Sequence, residues 1–229
     1  MAECPTRVKD IGEVFRLDAK ADNQEVAIGG WRSVGVKRTE DAPWFAVRLN
    51  RQNAPWAFER GEAFRTIASL ELLGALVGLM VLVPDDLLAS ESVGTATFTC
   101  GTDNQGNSYL LDKLLTTKYP LGVVLMELAC QAGRKRASMR ARWIPRLQNE
   151  EADALTNGEF HHFRAANRIE VKLEELRFLV MDSLFATGEE YMKELAALKE
   201  EEKRAAINDK GTPAAKRRKG LPLSERDKW

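Results

Sequence analysis

Apolar and polar residues alternate from Glu13 to Ala19 (Glu-Val-Phe-Arg-Leu-Asp-Ala), which predicts a strand with Asp18 at its end. A second strand-like stretch runs from Val26 to Val36, where Gly29-Gly30 predicts a bulge or a close backbone approach beside the end of the first strand. Trp44 to Leu49 predicts a third. Short polar links between the three suggest an antiparallel meander. The run Thr66 to Val83 is apolar nearly all round, with Thr66 as a plausible N-cap and Pro84 as a stop, and it predicts a buried helix. It approaches membrane-spanning length, but Glu71 lies within it and Gly74 and Gly78 lighten it. A carboxylate in a lone apolar span would be costly, so a helix of a water-soluble domain is expected.

A β-branched run, Thr95 to Gly101, closes at Thr102-Asp103-Asn104. Helices are expected over about Gly106 to Thr117 and Leu121 to Gln131, separated at Pro120 and stopped at Gly133. Met139 to Ile144 predicts a last strand, ended by Pro145. Asn149 then reads as the cap of a helix carrying Glu150, Glu151 and Asp153 in its first turn, where the helix dipole favours acids. Beyond His162, Ile169 to Leu184 has apolar residues at helical spacing, and Glu189 to Ile207 reads as a charged helix. Residues 1–160 therefore form the expected domain, 161–208 a helical appendage and 209–229 a basic flexible tail.

Charge sharpens this picture locally rather than globally. Thirty-four Lys and Arg balance thirty-four Asp and Glu, so no overall field recruits a polyanion. From Gly133 to Arg146, however, stand Arg134, Lys135, Arg136, Arg140, Arg142 and Arg146 without a single acid, a candidate phosphate-binding stretch. Lys216 to Lys219 form a short basic run that could serve nuclear import or nucleic-acid contact. The three cysteines show no CxxC pairing, which argues against a zinc site or disulfide framework and for a reducing, intracellular setting. Met1 to Asp10 lacks the apolar core of a secretory signal, and His161-His162 lack metal-ligand spacing.

Three strands, a helix, a strand, two helices, a strand and a helix thus carry Asp18, Glu71, Asp103 and Asp153 on four separate elements. These acids can converge only if the first and fourth strands are neighbours. The local motifs are Leu17-Asp18-Ala19 with Gly29-Gly30-Trp31, Ile67-Ala-Ser-Leu-Glu71-Leu-Leu, Thr102-Asp103-Asn104, and Ile144-Pro-Arg-Leu-Gln-Asn149-Glu-Glu-Ala152-Asp153-Ala-Leu155. Over about Glu13 to Asn157 the sequence resembles the ribonuclease H family, and more narrowly the RNase H domains of retrotransposon polyproteins, including those of tyrosine-recombinase elements. The chain departs from many cellular members in having no His in the loop before Asp153.

The resemblance implies an α/β fold, a mixed five-stranded sheet flanked by helices, and an endonuclease that hydrolyses the RNA strand of RNA/DNA hybrids. It implies two Mg²⁺ ions, with Mn²⁺ able to substitute, because hard cations take carboxylate ligands and can clamp the attacking and leaving oxygens of a phosphodiester. Asp18 would bridge the ions, Glu71 and Asp103 would hold the one facing the leaving group, and Asp153 would help hold the one that activates water. Arg134, Lys135, Arg136, Arg140, Arg142 and Asn104 are the expected contacts to the hybrid. The C-terminal helices would suit a protein partner such as a reverse transcriptase, whose own Tyr-x-Asp-Asp signature is absent. The competing reading is a domesticated, catalytically silent module of the same fold that binds nucleic acid or a protein.

Overall fold

The structure, a computed structural model, describes residues 8–22, 25–58, 66–85, 95–116, 118–188, 190 and 197. The basic run Lys216 to Lys219 and almost all of the expected helix from Glu189 to Ile207 lie outside the described residues. No described helix is long and apolar enough to cross a membrane. The long apolar run is instead the 15-residue helix α1, Ile67–Val81.

Five strands form one sheet in the order β3-β2-β1-β4-β5: β1 (Val8–Ala21), β2 (Val26–Arg32), β3 (Trp44–Arg48), β4 (Thr95–Thr102) and β5 (Ala137–Trp143). The first three form the expected antiparallel meander, whereas β1–β4 and β4–β5 are parallel. Parallel neighbours require crossovers, supplied by α1 (Ile67–Val81) and then by α2 (Gln105–Lys113) with α3 (Leu121–Arg134). The helix α4 (Glu150–Asn157) packs across β1 and β2. Phe15, Leu17, Ile28, Phe45, Leu70, Leu73, Leu76, Leu79 and Phe98 are fully or almost fully buried in the core between the sheet and its helices.

Two glycine positions set how closely the helices approach. A Cβ on Gly78 would lie 2.5 Å from the Phe15 ring, so α1 presses directly on β1. A Cβ on Gly29 would lie 2.8 Å from Leu155 Cβ, so Gly29 marks a close approach of α4, while Gly30 lies against the Arg16 carbonyl and the Phe45 ring, and the β1–β2 ladder passes both without a bulge. Gly29→Val should therefore destabilise the protein by about 1–3 kcal/mol through overpacking. Urea unfolding would show this as a lower midpoint. Gly133→Ala, on α3 where an added methyl meets no atom within 4 Å, should instead raise the midpoint slightly, by up to about 1 kcal/mol of stability.

Several helix ends differ from the sequence expectation. Thr66 precedes α1, but its hydroxyl donates to the Ala57 carbonyl rather than capping the helix. Asn149 precedes α4, yet its side chain donates to the Leu17 carbonyl at 2.9 Å instead of capping. Gly133 does not stop α3. The helix runs to Arg134, and Arg136 turns the chain with φ of 51°.

Residues 1–185 form one compact unit. Within it, Ile169 to Leu184 is not the continuous helix its spacing suggested. The segment carries a 3₁₀ turn at Leu173–Glu175 and becomes helical only from residue 181. Ile169, Val171, Leu173, Leu176, Phe178 and Met181 nonetheless pack on the main core, because residues two apart face one way in extended chain and residues three apart do so across the 3₁₀ turn. Phe163 joins Trp31, Trp44 and Leu155 in a second cluster. The strap is fastened by Glu127 of α3, whose carboxylate has no exposed surface and accepts the backbone N–H groups of Leu179, Val180 and Met181 and the Gln131 side-chain amide. The remaining unit, 186–229, has only residues 186–188, 190 and 197 described.

Candidate active site

Asp18 lies within β1, just beyond the stretch that pairs with β4 and three residues before the strand ends, and Asp103 directly follows β4. The hairpin beyond Asp18 is long, but the pairing is direct: Asp18 stands opposite Gly29. Glu71 is the fifth residue of α1, one turn in from the end, so dipole stabilisation at a helix start does not explain it. Its carboxylate instead points toward the two strand ends. One carboxylate oxygen from each of Asp18, Glu71 and Asp103 lies within 4.8 Å of the others. Asp18 and Glu71 are each 5% exposed, and Asp103 is half-buried.

Such crowding is electrostatically unfavourable. Burial pushes the Asp18 carboxyl up to about 6, with the charges of Asp103 and Asp153 adding to it and the Thr156 hydroxyl and Arg146 opposing. Burial, then the Asp18 charge, drives Glu71 well above the usual carboxylate range, against the Thr102 hydroxyl. The two hydroxyls fix the carboxylates. Thr156 Oγ1 donates to Asp18 Oδ2 at 2.7 Å, and Thr102 Oγ1 donates to Glu71 Oε2 at 2.9 Å. An all-oxygen set of converging carboxylates that repel one another fits a hard divalent cation such as Mg²⁺ or Mn²⁺, whose charge would reverse the sign of their interaction.

Asp153 lies in the first turn of α4 and is half-buried, near enough for its charge to act on Asp18. It is not one of the three converged groups. Both of its oxygens are taken by protein donors: Oδ1 by the Arg146 guanidinium, Oδ2 by Asn157 Nδ2 at 2.8 Å.

The cations of the basic stretch differ in exposure and in partners, and the charge of Arg134, like that of Lys135, acts on Asp85. Arg134, Arg136 and Arg140 are exposed. Lys135 is drawn to Asp85 and the Val83 carbonyl, and Arg142 pairs with Glu13. Asn104 accepts the Asn107 N–H as the cap of α2. The site also holds residues whose roles a linear reading does not reveal. Thr102 adjoins Asp103 in a motif, but nothing in the sequence says that it reaches Glu71. Thr156 and Asn149 reach β1 across the whole chain, at sequence separations of 138 and 132. Trp143, half-exposed, donates its indole N–H to the Asp103 carbonyl at 3.1 Å.

The mixed five-stranded sheet flanked by helices is the architecture expected from the sequence, with one acid in β1 and another directly after β4. No family model matches the chain, and no curated protein matches it. Among solved structures, RNase H1 from Halobacterium salinarum is similar at 17% identity, over 65% of this chain and 98% of its own, with a TM-score of 0.40. The N-terminal RNase H domain of a Mycobacterium tuberculosis protein, solved as a fusion with maltose-binding protein, is similar at 17% identity over 64% and 92%, TM-score 0.41. LC11-RNase H1 in complex with an RNA/DNA hybrid is similar at 16% identity over 63% and 93%, TM-score 0.43.

Proposed function

We propose that this chain is a divalent-metal-dependent endonuclease of the ribonuclease H kind, of retroelement type, which cuts the RNA strand of RNA/DNA hybrids. The observation that carries the reading is the convergence of Asp18, Glu71 and Asp103, from three separate elements, to within 4.8 Å just beyond the paired stretch of two parallel strands. Asp18, Glu71, Asp103 and Asp153 are the residues that would hold two Mg²⁺ ions. Bound there, the metal would supply charge neutralisation at the scissile phosphate and an acidified water.

The chain's own residues do the rest. Thr156 and Thr102 hold the two buried carboxylates in fixed orientations, which lowers the reorganisation needed when charge develops. Asn149 ties the loop before α4 to the Leu17 carbonyl, adjacent to Asp18, so α4 and β1 keep their spacing. Asp103, the more exposed acid of the three, offers a free edge toward solvent and substrate. Arg134, Arg136 and Arg140 give the surface on which a phosphate backbone would run.

The test compares the protein with Asp103→Asn on RNA/DNA hybrid, duplex RNA, duplex DNA and single strands, each with Mg²⁺ and with chelator. Metal-dependent cutting of the hybrid alone, lost in the variant, is the expected result. Binding without cutting in both proteins would overturn it in favour of a silent nucleic-acid-binding module.

A further inference from the structure

Arg146 stands out among the cations of the basic stretch because it faces the acids rather than solvent phosphate. It opens the short 3₁₀ turn Arg146–Gln148 between β5 and α4, seven residues before Asp153, and its guanidinium takes Asp153 Oδ1. Its charge is felt by Asp18, Glu71, Asp103 and Asp153 together. The side chain is nevertheless 75% exposed, so it is held by this ion pair and not by packing. An exposed pair of this kind is weak and exchanges readily.

Asp153 is thereby in a different condition from the other three acids. Asn157 holds Oδ2 and is neutral, so it can stay in place when a cation binds. Arg146 cannot, because a guanidinium and a divalent cation on the same oxygen repel each other. We infer that Arg146 is a tethered counter-ion that occupies the Asp153 side of the centre in the free protein and is drawn off by a substrate phosphate. With Arg146 drawn off, Asp153 Oδ1 would be open to a divalent cation. A phosphate offers the guanidinium a bidentate partner with more charge than one carboxylate oxygen, which supplies the driving force for the transfer. The inference rests on the nuclease reading for the identity of the substrate, but the competition between Arg146 and the cation does not.

The experiment is calorimetric titration of the metal-free full chain with Mn²⁺, without nucleic acid, for wild type, Arg146→Gln, Arg146→Lys and Arg146→Gln/Asp153→Asn. The expected result is that Arg146→Gln tightens the weaker Mn²⁺ site at least fivefold, Arg146→Lys stays near wild type, and the double variant loses the gain. In cleavage assays, Arg146→Gln should lower the Mg²⁺ concentration for half-maximal rate while raising KM for the hybrid severalfold, opposite movements that a merely structural role would not produce. Superimposable isotherms for wild type and Arg146→Gln, or a gain that survives in the double variant, would overturn the inference. Hybrid left uncut by a wild-type protein that shows the calorimetric pattern would sink the nuclease reading and leave the role of Arg146 standing.

Discussion

Asp18→Asn should abolish metal-dependent cleavage and, in chelator, make the protein more stable than wild type. In the proposed function Asp18 holds metal, so its loss would remove about 4 kcal/mol of transition-state stabilisation, a rate loss on the order of 10³-fold. The stability gain comes from the same residue. Asp18 is buried and crowded, and its carboxyl is raised from 3.8 to about 6. A raised acid contributes stability that is full below its unfolded value and is lost as pH rises through its folded value. Metal-free wild type should therefore lose about 3 kcal/mol between about pH 4 and pH 7, with Glu71 acting in the same direction. The amide oxygen of an Asn can still accept the Thr156 hydroxyl, so the variant keeps the geometry without the charge. Thermal melts in chelator across this pH range, with and without added Mg²⁺, would measure both effects. A variant less stable than wild type at pH 8 in chelator would contradict the electrostatic account.

Glu127→Ala should cost about 2–4 kcal/mol of stability, because it leaves the backbone N–H groups of residues 179–181, that of Met181 buried and the other two partly buried, without their acceptor and opens a cavity. Burial alone would raise this carboxyl, but the N–H groups of Val180, Leu179 and Met181 and the Gln131 amide outweigh it and hold it below its ordinary value. The sign is opposite to that of Asp18. The stabilisation is present above the unfolded value of 4.5 and is lost as pH falls through the lower folded value. Urea unfolding at pH 7 and at pH 3 should show a large difference between wild type and variant at the first and a smaller one at the second. Equal midpoints at pH 7 would show that the strap is held by its apolar contacts instead.

Much of this architecture is legible in the sequence because its signals are local. Alternation marked β1, an unbroken apolar run marked α1, and Pro84, Pro120 and Pro145 marked breaks, since each depends only on a residue and its near neighbours. Helix ends were less legible. Thr66 and Asn149 have the right side chains for caps, but tertiary partners, the Ala57 and Leu17 carbonyls, compete for them. The strap over 169–180 shows the same limit. Helical spacing is also met by an extended segment when a distant carboxylate, here Glu127, captures the N–H groups that a helix would use.

The order of residues alone shows that Asp18, Glu71, Asp103 and Asp153 fall on four separate elements and could meet. Long-range packing is what brings three of them together, sets Thr102 and Thr156 against two of them, and leaves Asp153 outside the group with its oxygens on Arg146 and Asn157. The reason is range: element type follows from residues a few positions apart, whereas convergence requires β1 and β4 to pair and α4 to reach β1 over Gly29. Those contacts are settled by packing between residues far apart in the chain, where one side chain's partner depends on every other element being in place.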